Sequence, residues 1–545
     1  MRCGIAAACV GFCLAPGFLY AGTAAPRRPS EWRGWESQKA TISEIVIHIQ
    51  PVFDLTKPSE NNWLGRSANY LHIPTREVVM RRALLFKEGD RAIARDIYQT
   101  ERLLRAMSFV KEARIQPESM GDGKVRAHVW VRDAWTIEVD AGFQRVGKQS
   151  SMHTGIQDQN FLGTGKTIGF SVSKDHERTE SQFSYCDPQL LGSRWQLSGD
   201  YQALSDGSAR TFALGRPFFS LTAPWAVSFS GQSRKSRLMI YDAGEAIYET
   251  PFWANAVRVT AAWAIKQHED RVWRAGVAFS ADDRRYGEWE VLDPLAVEAP
   301  PILESRRQRG VALTLAYQQE GYETFQDIRG MDVAEDYNLA WEGTLEVGSY
   351  TRRLGSTRPG PYAQLQLTKG WSGAPEFLTL FEGTLRGRFG RSNGENLCMD
   401  ASVSTYVQVR PSYQVAAYLG VGYVHSPDPE NIQYMGGAEG LRGYPNYLHP
   451  GNAHWVMSVE HRFFTDQRWW GLFRVGYVAF VDAGAVHQMD AKGWSATYPD
   501  VGVGLRLGDL KSSLARVLLL TFTAPLVRQP GQSSWQFGIR NTLRF

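Results

Sequence analysis

Short runs of alternating apolar and polar residues follow one another from residue 134 onward, without persistent helical spacing. A period of two is typical of a β-strand whose two faces meet different surroundings. At about 10 residues per membrane strand plus connections, the region can supply roughly 16 to 20 strands. The runs before residue 425 are Thr136–Gln144, Met152–Asn160, Thr167–Ser173, Gln182–Pro188, Arg194–Gln202, Thr211–Phe219, Ala226–Ser230, Ala254–Lys266, Trp273–Ala281, Val311–Tyr317, Leu339–Glu346, Tyr362–Lys369, Thr379–Arg388, Asp400–Val409 and Val415–Val424. The pattern predicts a mainly β protein, with an antiparallel β-barrel over residues 134–545.

The last run, Trp535–Phe545, alternates with a single exception. Its odd positions are aromatic or aliphatic except Asn541, and its even positions are polar or glycine. A soluble sandwich could show this alternation. A barrel in lipid, however, needs a complete last strand, because unpaired backbone groups in hydrocarbon are costly. The terminal Phe545 also resembles the C-terminal signal of bacterial outer-membrane proteins, so we predict a transmembrane barrel in the outer membrane.

Residues 42–133 show a different pattern, in which both helical and strand periods occur. Strands are predicted at Ile42–Ile49, Phe109–Ile115 and Val125–Val131, and helices at Thr75–Phe86 and Ala92–Met107. The order is β-α-α-β-β, and about 90 residues are enough for an independent fold. One reading is a small exported α+β domain that binds no partner.

A second reading comes from two motifs in this unit, Phe86-x-x-Gly89-Asp90 and Leu104-x-x-x-x-Phe109-Val110. With them, the unit resembles a POTRA domain. The resemblance implies a periplasmic domain that offers a strand edge to client polypeptides, which is a common mode of peptide recognition.

The first 24 residues have the pattern of a secretory signal peptide. Arg2 precedes an apolar stretch, Ile5–Leu19, and small residues allow cleavage before Ala25. Residues 25–41 then form a polar leader. The mature chain lacks the run of about 20 apolar residues that a transmembrane helix requires.

Charge and cysteine content exclude some classes of function. With 60 basic and 56 acidic residues the net charge is +4, which excludes the strongly basic footprint of a nucleic-acid-binding protein. Three of the five cysteines lie in the signal peptide, and only Cys186 and Cys398 remain. Whether these two pair stays open, because a separation of some 200 residues says little about contact.

Near the C-terminus, one face of the predicted strands carries charges. Glu460, Arg462, Asp482, Asp500 and Arg506 all fall on the face that points into the lumen. The lining of a pore would account for such charges. Small residues beside them, Gly476, Gly484, Gly502 and Gly504, leave room for another segment to lie against this wall.

A candidate for that segment is the glycine-rich stretch Gly436–Asn446. Its core, Gly440-Leu441-Arg442-Gly443-Tyr444, resembles the signature loop of the BamA/TamA superfamily, whose barrels are also called bacterial surface antigen type. Phe480-x-Asp482-x-Gly484 resembles the partner motif on the wall. Asn160–Gly165 and Tyr185–Pro188 resemble the first hairpins of the same barrel.

The resemblance implies that loop 427–452 folds into the barrel and that Arg442 bonds to Asp482, aided by Glu460. It also implies sixteen strands, eleven before the loop and five after it, whereas fifteen runs precede the loop in this chain. Either several of these runs form extracellular hairpins that stand above the membrane, or the barrel is larger; we expect about sixteen strands. The implied function is to assist insertion of proteins into the outer membrane or their translocation across it. The implied partners are unfolded outer-membrane or secreted proteins, outer-membrane lipids and accessory periplasmic proteins. A weak seam between the first strand and the last would template the clients.

Two other classes remain as alternatives. A passive channel or porin would need neither the N-terminal unit nor the inward loop. An enzyme is not expected, because the chain has no Gly-x-Ser-x-Gly, no His-Glu-x-x-His and no Cys/His cluster with metal-ligand spacing. We therefore expect no catalytic residue, metal or cofactor.

Overall fold

The computed structural model describes residues 31–58, 60–146, 149–294, 300–390, 394–488, 493–512, 517–529 and 532–542. The predicted signal peptide and Phe545 lie outside these residues. Within the described ranges, no helix is long and apolar enough to cross a membrane. Cys186 and Cys398 are not joined in a disulfide bridge.

An α+β unit occupies the N-terminal part of the described chain. Its sheet has the order β1-β3-β2, with β1 parallel to β3 and β2 antiparallel to it. The predicted order of strands and helices is present, with two further helices. The helices are α1 (Glu31–Ser37), α2 (Trp63–Leu71), α3 (Glu77–Ala83) and α4 (Ala94–Arg105), and the strands are β1 (Thr41–Gln50), β2 (Val110–Gly121) and β3 (Lys124–Asp133).

The two further helices lie in stretches for which the sequence pattern predicts no helix or strand. Helix α1 falls in the predicted leader, where Trp32 is buried and its indole Nε1 donates to the carbonyl of Ile115 at 2.9 Å. Helix α2 begins after Asn62, whose side chain accepts a hydrogen bond from the backbone of Gly65. Both helices are short, and short helices depend on tertiary packing rather than on periodicity.

The rest of the chain forms a closed antiparallel barrel of twenty strands among the described residues. The strands are β4 (Ile137–Val146), β5 (Gln149–Asp158), β6 (Thr167–Lys174), β7 (Thr179–Asp187), β8 (Gln196–Leu204), β9 (Gly207–Arg216), β10 (Trp225–Asp242), β11 (Glu245–Gln267), β12 (Arg271–Tyr286), β14 (Arg306–Gln319), β17 (Glu342–Tyr350), β18 (Gly360–Ala374), β19 (Phe377–Phe389), β20 (Gly394–Arg410), β21 (Tyr413–His425), β24 (Ala453–Trp469), β25 (Phe473–His487), β26 (Asp500–Asp509), β27 (Val517–Pro525) and β28 (Gln536–Thr542). A short additional strand, β13 (Glu290–Val291), pairs with β11.

The expectation of about sixteen strands is therefore wrong. Each of the runs before residue 425 is one barrel strand, and five more strands follow the loop. None of the runs stands apart as a separate hairpin. The number of alternating runs agrees with the number of barrel strands, whereas the strand number implied by the resemblance was too small.

The outer face of the barrel is apolar. One row across four neighbouring strands consists of Val227, Ala261, Val277 and Leu313, which are paired in register. Val277 is 50% exposed and Leu313 is 70% exposed. Exposed apolar rows on a closed barrel are the surface that a membrane-spanning barrel presents to hydrocarbon.

The barrel has two distinguishable ends. The end against which the α+β unit packs is called the domain end here, and the opposite end the far end. One extra hairpin enters the barrel from each end. Strands β15 (Tyr322–Gln326) and β16 (Ala334–Asn338) form a hairpin at the domain end, and strands β22 (Gln433–Met435) and β23 (His449–Gly451) pair within the loop at the far end.

Candidate functional site

The loop between β21 and β24, residues 426–452, folds back from the far end against the inner wall of the barrel. Its tip is held by its own backbone: the amide of Leu441 donates to the carbonyl of Gly436, and that of Tyr444 to the carbonyl of Leu441. Gly440 has a φ of 130°, which disfavours residues with a side chain. The glycine-rich sequence thus forms a compact turn that presents one side chain, Arg442, to the wall.

The side chain of Arg442 makes four hydrogen bonds with the wall. Its Nε and Nη2 donate to the two carboxylate oxygens of Asp482, each at 2.7 Å. Its Nη1 donates to Oε1 of Glu460 at 2.7 Å, and Nη2 also donates to the hydroxyl of Ser458 at 2.9 Å. The guanidinium lies 3.4 Å from the ring centroid of Phe480, a cation–π contact. The planar fork of arginine suits this set of acceptors because its donors have fixed directions.

The wall around Arg442 is a buried network of charged groups. Glu460 also accepts from Nε of Arg462 at 2.7 Å, and Arg506 lies 3.8 Å from the same carboxylate. Of these groups, Glu460, Arg462, Arg506 and Asp482 are at most 1% exposed. The carboxylates of Glu460 and Asp482 are thus surrounded by three guanidinium groups, those of Arg442, Arg462 and Arg506. Buried charges are stable only when they are paired in this way.

Gly443 brings the loop backbone into contact with a second wall strand. Its amide donates to Oδ2 of Asp500 at 2.9 Å. A Cβ at Gly443 would lie 2.8 Å from the Cβ of Asp500, which is closer than side chains pack. Only glycine therefore allows this approach of the backbone to the carboxylate.

Apolar packing supports the ion pairs. Leu441 and Tyr444 are fully buried in a cluster with Met435, Leu448, Val456, Val486 and Tyr498. The Tyr444 hydroxyl donates to the carbonyl of Pro499 at 2.7 Å. At Gly484, an added Cβ would lie 3.3 Å from Leu441 and 2.8 Å from a strand carbonyl. The wall glycine thus makes room for the loop leucine.

The structure brings together nine of the residues singled out in the sequence. They are Gly440, Leu441, Arg442, Gly443, Tyr444, Glu460, Phe480, Asp482 and Gly484. Phe545 lies outside the described residues. Three contacts had no signal in the sequence: Ser458 with Arg442, Gln149 with the backbone of Asn446 at 3.0 Å, and Gln532 with the carbonyl of Gly443 at 2.5 Å. Polar residues of this kind occur throughout a barrel interior, so nothing local distinguishes these three.

Among the described residues, the barrel closes through its shortest strand pairing. Between β28 and β4 three residue pairs are formed, Phe537 with Arg145, Gly538 with Gln144 and Ile539 with Phe143. The neighbouring pairings are longer, with seven pairs between β27 and β28 and ten between β4 and β5. Within the described residues this seam has the fewest backbone contacts of any junction between the twenty strands.

The α+β unit is fixed to the domain end by a buried polar joint. Thr75 donates through its amide and its hydroxyl to the carboxylate of Asp133, at 2.9 and 2.8 Å. The side-chain amide of Asn160, in the turn after β5, donates to the Thr75 hydroxyl at 2.7 Å. His72 contacts the same Asp133 carboxylate at 2.9 Å. The joint lies at the base of the first barrel strands, next to the seam.

No set of three or more His, Cys, Asp or Glu side chains is placed to hold a metal ion within the described ranges. The site consists of ion pairs, hydrogen bonds and apolar contacts between the loop and the wall. Their geometry can fix the position and orientation of a loop inside a lumen.

A comparison with models of known protein families finds no match. Among solved structures, the chain is similar to BamA from Haemophilus ducreyi lacking POTRA domains 1–3, with 13% identity over 91% of this chain and 84% of that chain and a TM-score of 0.38. It is similar to CdiB from Acinetobacter baumannii, with 12% identity, coverage of 92% and 73%, and a TM-score of 0.45. For CdiB from Escherichia coli the identity is 12%, the coverage 92% and 76%, and the TM-score 0.43.

Proposed function

We propose that this protein is an outer-membrane barrel of the BamA/TamA superfamily that assists the insertion of proteins into the outer membrane or their translocation across it. The observation that carries the proposal is the loop 426–452, whose Arg442 bonds to Asp482 and Glu460 inside the barrel. A passive pore does not need a loop fixed inside its lumen, and burying the charges that fix this loop costs desolvation energy. A loop held at one place in the lumen, by contrast, suits a barrel that handles other polypeptides.

The seam and the α+β unit fit the same role. In the proposed mechanism the α+β unit is a periplasmic POTRA domain that receives unfolded clients by strand addition. Strands β4 and β28, whose pairing is the shortest among the described residues, then separate and expose edges to the client. Edge strands pair readily with other chains, so an opened seam is a template for a new strand. The clients are outer-membrane or secreted proteins, with membrane lipids and accessory periplasmic proteins as further partners.

The proposal is tested by crosslinking in cells. A photoreactive residue replaces Ile539 at the seam, and in a matched control it replaces Leu345, which is exposed on the lipid-facing side of β17. We expect the seam position to capture several outer-membrane or surface proteins and the control position to capture few. Equal capture at both positions, together with unchanged levels of every surface protein after depletion, would overturn the proposal.

A passive channel is the second candidate, and the strand number is the observation that favours it. Barrels of 16 to 18 strands can already enclose an aqueous channel, and this barrel has twenty. A passive channel would give a steady, open conductance in planar bilayers. A barrel filled by an inward loop gives low and flickering currents, and this result would exclude the second candidate.

A further inference from the structure

A second segment enters the barrel, from the domain end. It is the hairpin of β15 and β16, residues 322–338, between β14 and β17. At the same end, β18 and β19 are joined by only two residues, so a connection of this length is not needed to join neighbouring strands. One side of the hairpin is buried: Met331 and Tyr337 are each 1% exposed, and Glu335 is 3% exposed.

The barrel wall holds the tip of this hairpin by polar contacts. Gln414 and Arg462 donate to the backbone carbonyls of Asp327 and Ile328, at 3.0 and 2.8 Å. Two further arginines reach its carboxylates: Nη1 of Arg474 lies 3.2 Å from Asp327, and Nη2 of Arg468 lies 2.7 Å from Asp332. Between residues 321 and 339 the hairpin has five acids and one basic residue. The wall is therefore complementary in charge to the segment that it binds.

Apolar contacts complete the binding surface. Phe325, Ile328 and Tyr337 pack with Leu378, Tyr406 and Ala416 of strands β19 to β21. Met331 lies over Gly476 and Gly508, where an added Cβ would come within 2.8 and 2.4 Å of its side chain. The space left by Gly476, which the sequence predicted for an inward segment, is thus filled by the hairpin rather than by the far-end loop.

The hairpin also connects the α+β unit with the site. Arg102 on α4 donates to Glu320 at 2.5 Å and lies 4.2 Å from the ring centroid of Tyr322. Arg105 donates to Asp336 at 3.1 Å. At the other end, Arg462 bonds both the hairpin backbone and Glu460, the carboxylate that also binds Arg442. Contacts therefore run without interruption from helix α4 to the far-end loop.

We propose that the inner wall of β19 to β26 is a binding site for an extended, acidic polypeptide segment, and that hairpin 322–338 occupies this site in the resting state. The inference rests on the proposed handling of client polypeptides. A client bound to the α+β unit would draw α4, and with it the hairpin, away from the wall. The vacated wall would then bind a client segment with the same chemistry, a carboxylate near aromatic or aliphatic side chains.

The first test uses a shortened chain, in which Asn-Gly replaces residues 323–337 between Tyr322 and Asn338, a directly paired couple. In planar bilayers we expect the shortened chain to conduct severalfold more than the full chain. A synthetic peptide of residues 321–339, added at the domain end, should return the conductance to the low level. A peptide with Asp327→Asn and Asp332→Asn should block less, because Arg468 and Arg474 lose their carboxylate partners.

A second test leaves the full chain in place. The change Arg105→Glu places a second negative charge beside Asp336, and the repulsion should increase the frequency of channel openings in planar bilayers. Adding Asp336→Arg restores a pair of opposite charges and should return the frequency to that of the original chain. The matched control is Arg81→Glu, at an arginine of the same unit that pairs with Glu77 on the surface. Because the full chain is present, this result does not depend on how the shortened chain folds.

Three outcomes would overturn the inference: an unchanged conductance of both altered chains, equal block by the two peptides, or no block by either. None of these measurements needs a client. A barrel that is blocked by the native peptide but captures no clients would disprove the proposed function and leave the wall site standing. A barrel that captures clients but is not blocked by the peptide would disprove the wall site and leave the proposed function supported.

Discussion

Arg442 and Asp482 are joined by two parallel hydrogen bonds of 2.7 Å, across forty residues of sequence, inside the lumen of the barrel. Two bonds in parallel fix the orientation of the guanidinium as well as its distance. Because the remaining nitrogen of the guanidinium, Nη1, donates to Glu460, the loop has one well-defined position against the wall.

Replacing Arg442 by Ala should leave a barrel that still folds but is less stable. Two carboxylates would lose their common partner, and breaking a buried ion pair typically costs about 3–5 kcal/mol. Arg442→Lys should recover only part of this loss, because an ammonium group cannot form the paired bonds. The free energy of unfolding in urea measures the effect.

The charge swap Arg442→Asp with Asp482→Arg tests the contact directly. Partial recovery of stability relative to the single changes would support direct pairing. If the double variant were no more stable than either single variant, direct pairing would lose its main support.

Gly443→Ala should displace the loop although it adds only one methyl group. The new Cβ would meet the Cβ of Asp500 at 2.8 Å, and overpacking of this kind costs about 1–3 kcal/mol. The matched control is Gly373→Ala, where no atom lies within 4 Å of the added Cβ. Urea unfolding of the two variants side by side should show a loss for the first and little change for the second.

A disulfide across the seam should stop client handling if the seam opens. Phe143 and Ile539 are paired directly across it, and paired antiparallel residues are close enough for a disulfide. Phe143→Cys with Ile539→Cys, in a chain whose own cysteines are replaced, should lose activity when oxidised and regain it with reductant. The control pair is Leu345→Cys with Leu365→Cys, also directly paired, on β17 and β18. Full activity of the oxidised seam variant would show that the seam stays closed during function.

Asn160→Ala should loosen the joint between the α+β unit and the barrel. The side chain donates to Thr75 and accepts from the amide of Gly165 at 2.7 Å, and leaving buried polar groups unpaired costs about 1–3 kcal/mol. Hydrogen exchange of residues 72–76 should become faster in this variant. It should stay unchanged in the control Asn61→Ala, where only the contact with Arg66 is lost.

The packing of the α+β unit on the barrel should tighten in alkaline solution. Lys111 donates to the carbonyl of Leu510 at the domain end, and its burial lowers the pKa of its ammonium group from 10.5 to about 8. Between these two values the separated state binds more protons, so stability should rise as the pH increases from 8 to 10.5. Thermal unfolding of the unmodified chain and of Lys111→Gln at both pH values measures this, and the variant should lack this part of the rise.

Local alternation determined much of this fold. Each predicted run became one barrel strand, because a strand with one face in lipid and one in the lumen must alternate. The same rule predicted that Glu460, Arg462 and Asp482 face inward, and all three are buried there. The pairing of Arg442 with Asp482 did not follow from alternation; it came from the resemblance of two motifs.

The tertiary structure alone decided how the lumen is filled. Hairpin 322–338 contacts wall residues more than a hundred positions away, such as Arg462, and no local periodicity marks a segment whose partners are so distant. The number of strands in the barrel was also decided by the tertiary structure, because closure of the barrel depends on how every strand pairs with its neighbours and not on any single run. Short-range physics thus determined what each segment is, and long-range contacts determined where the inserted segments lie.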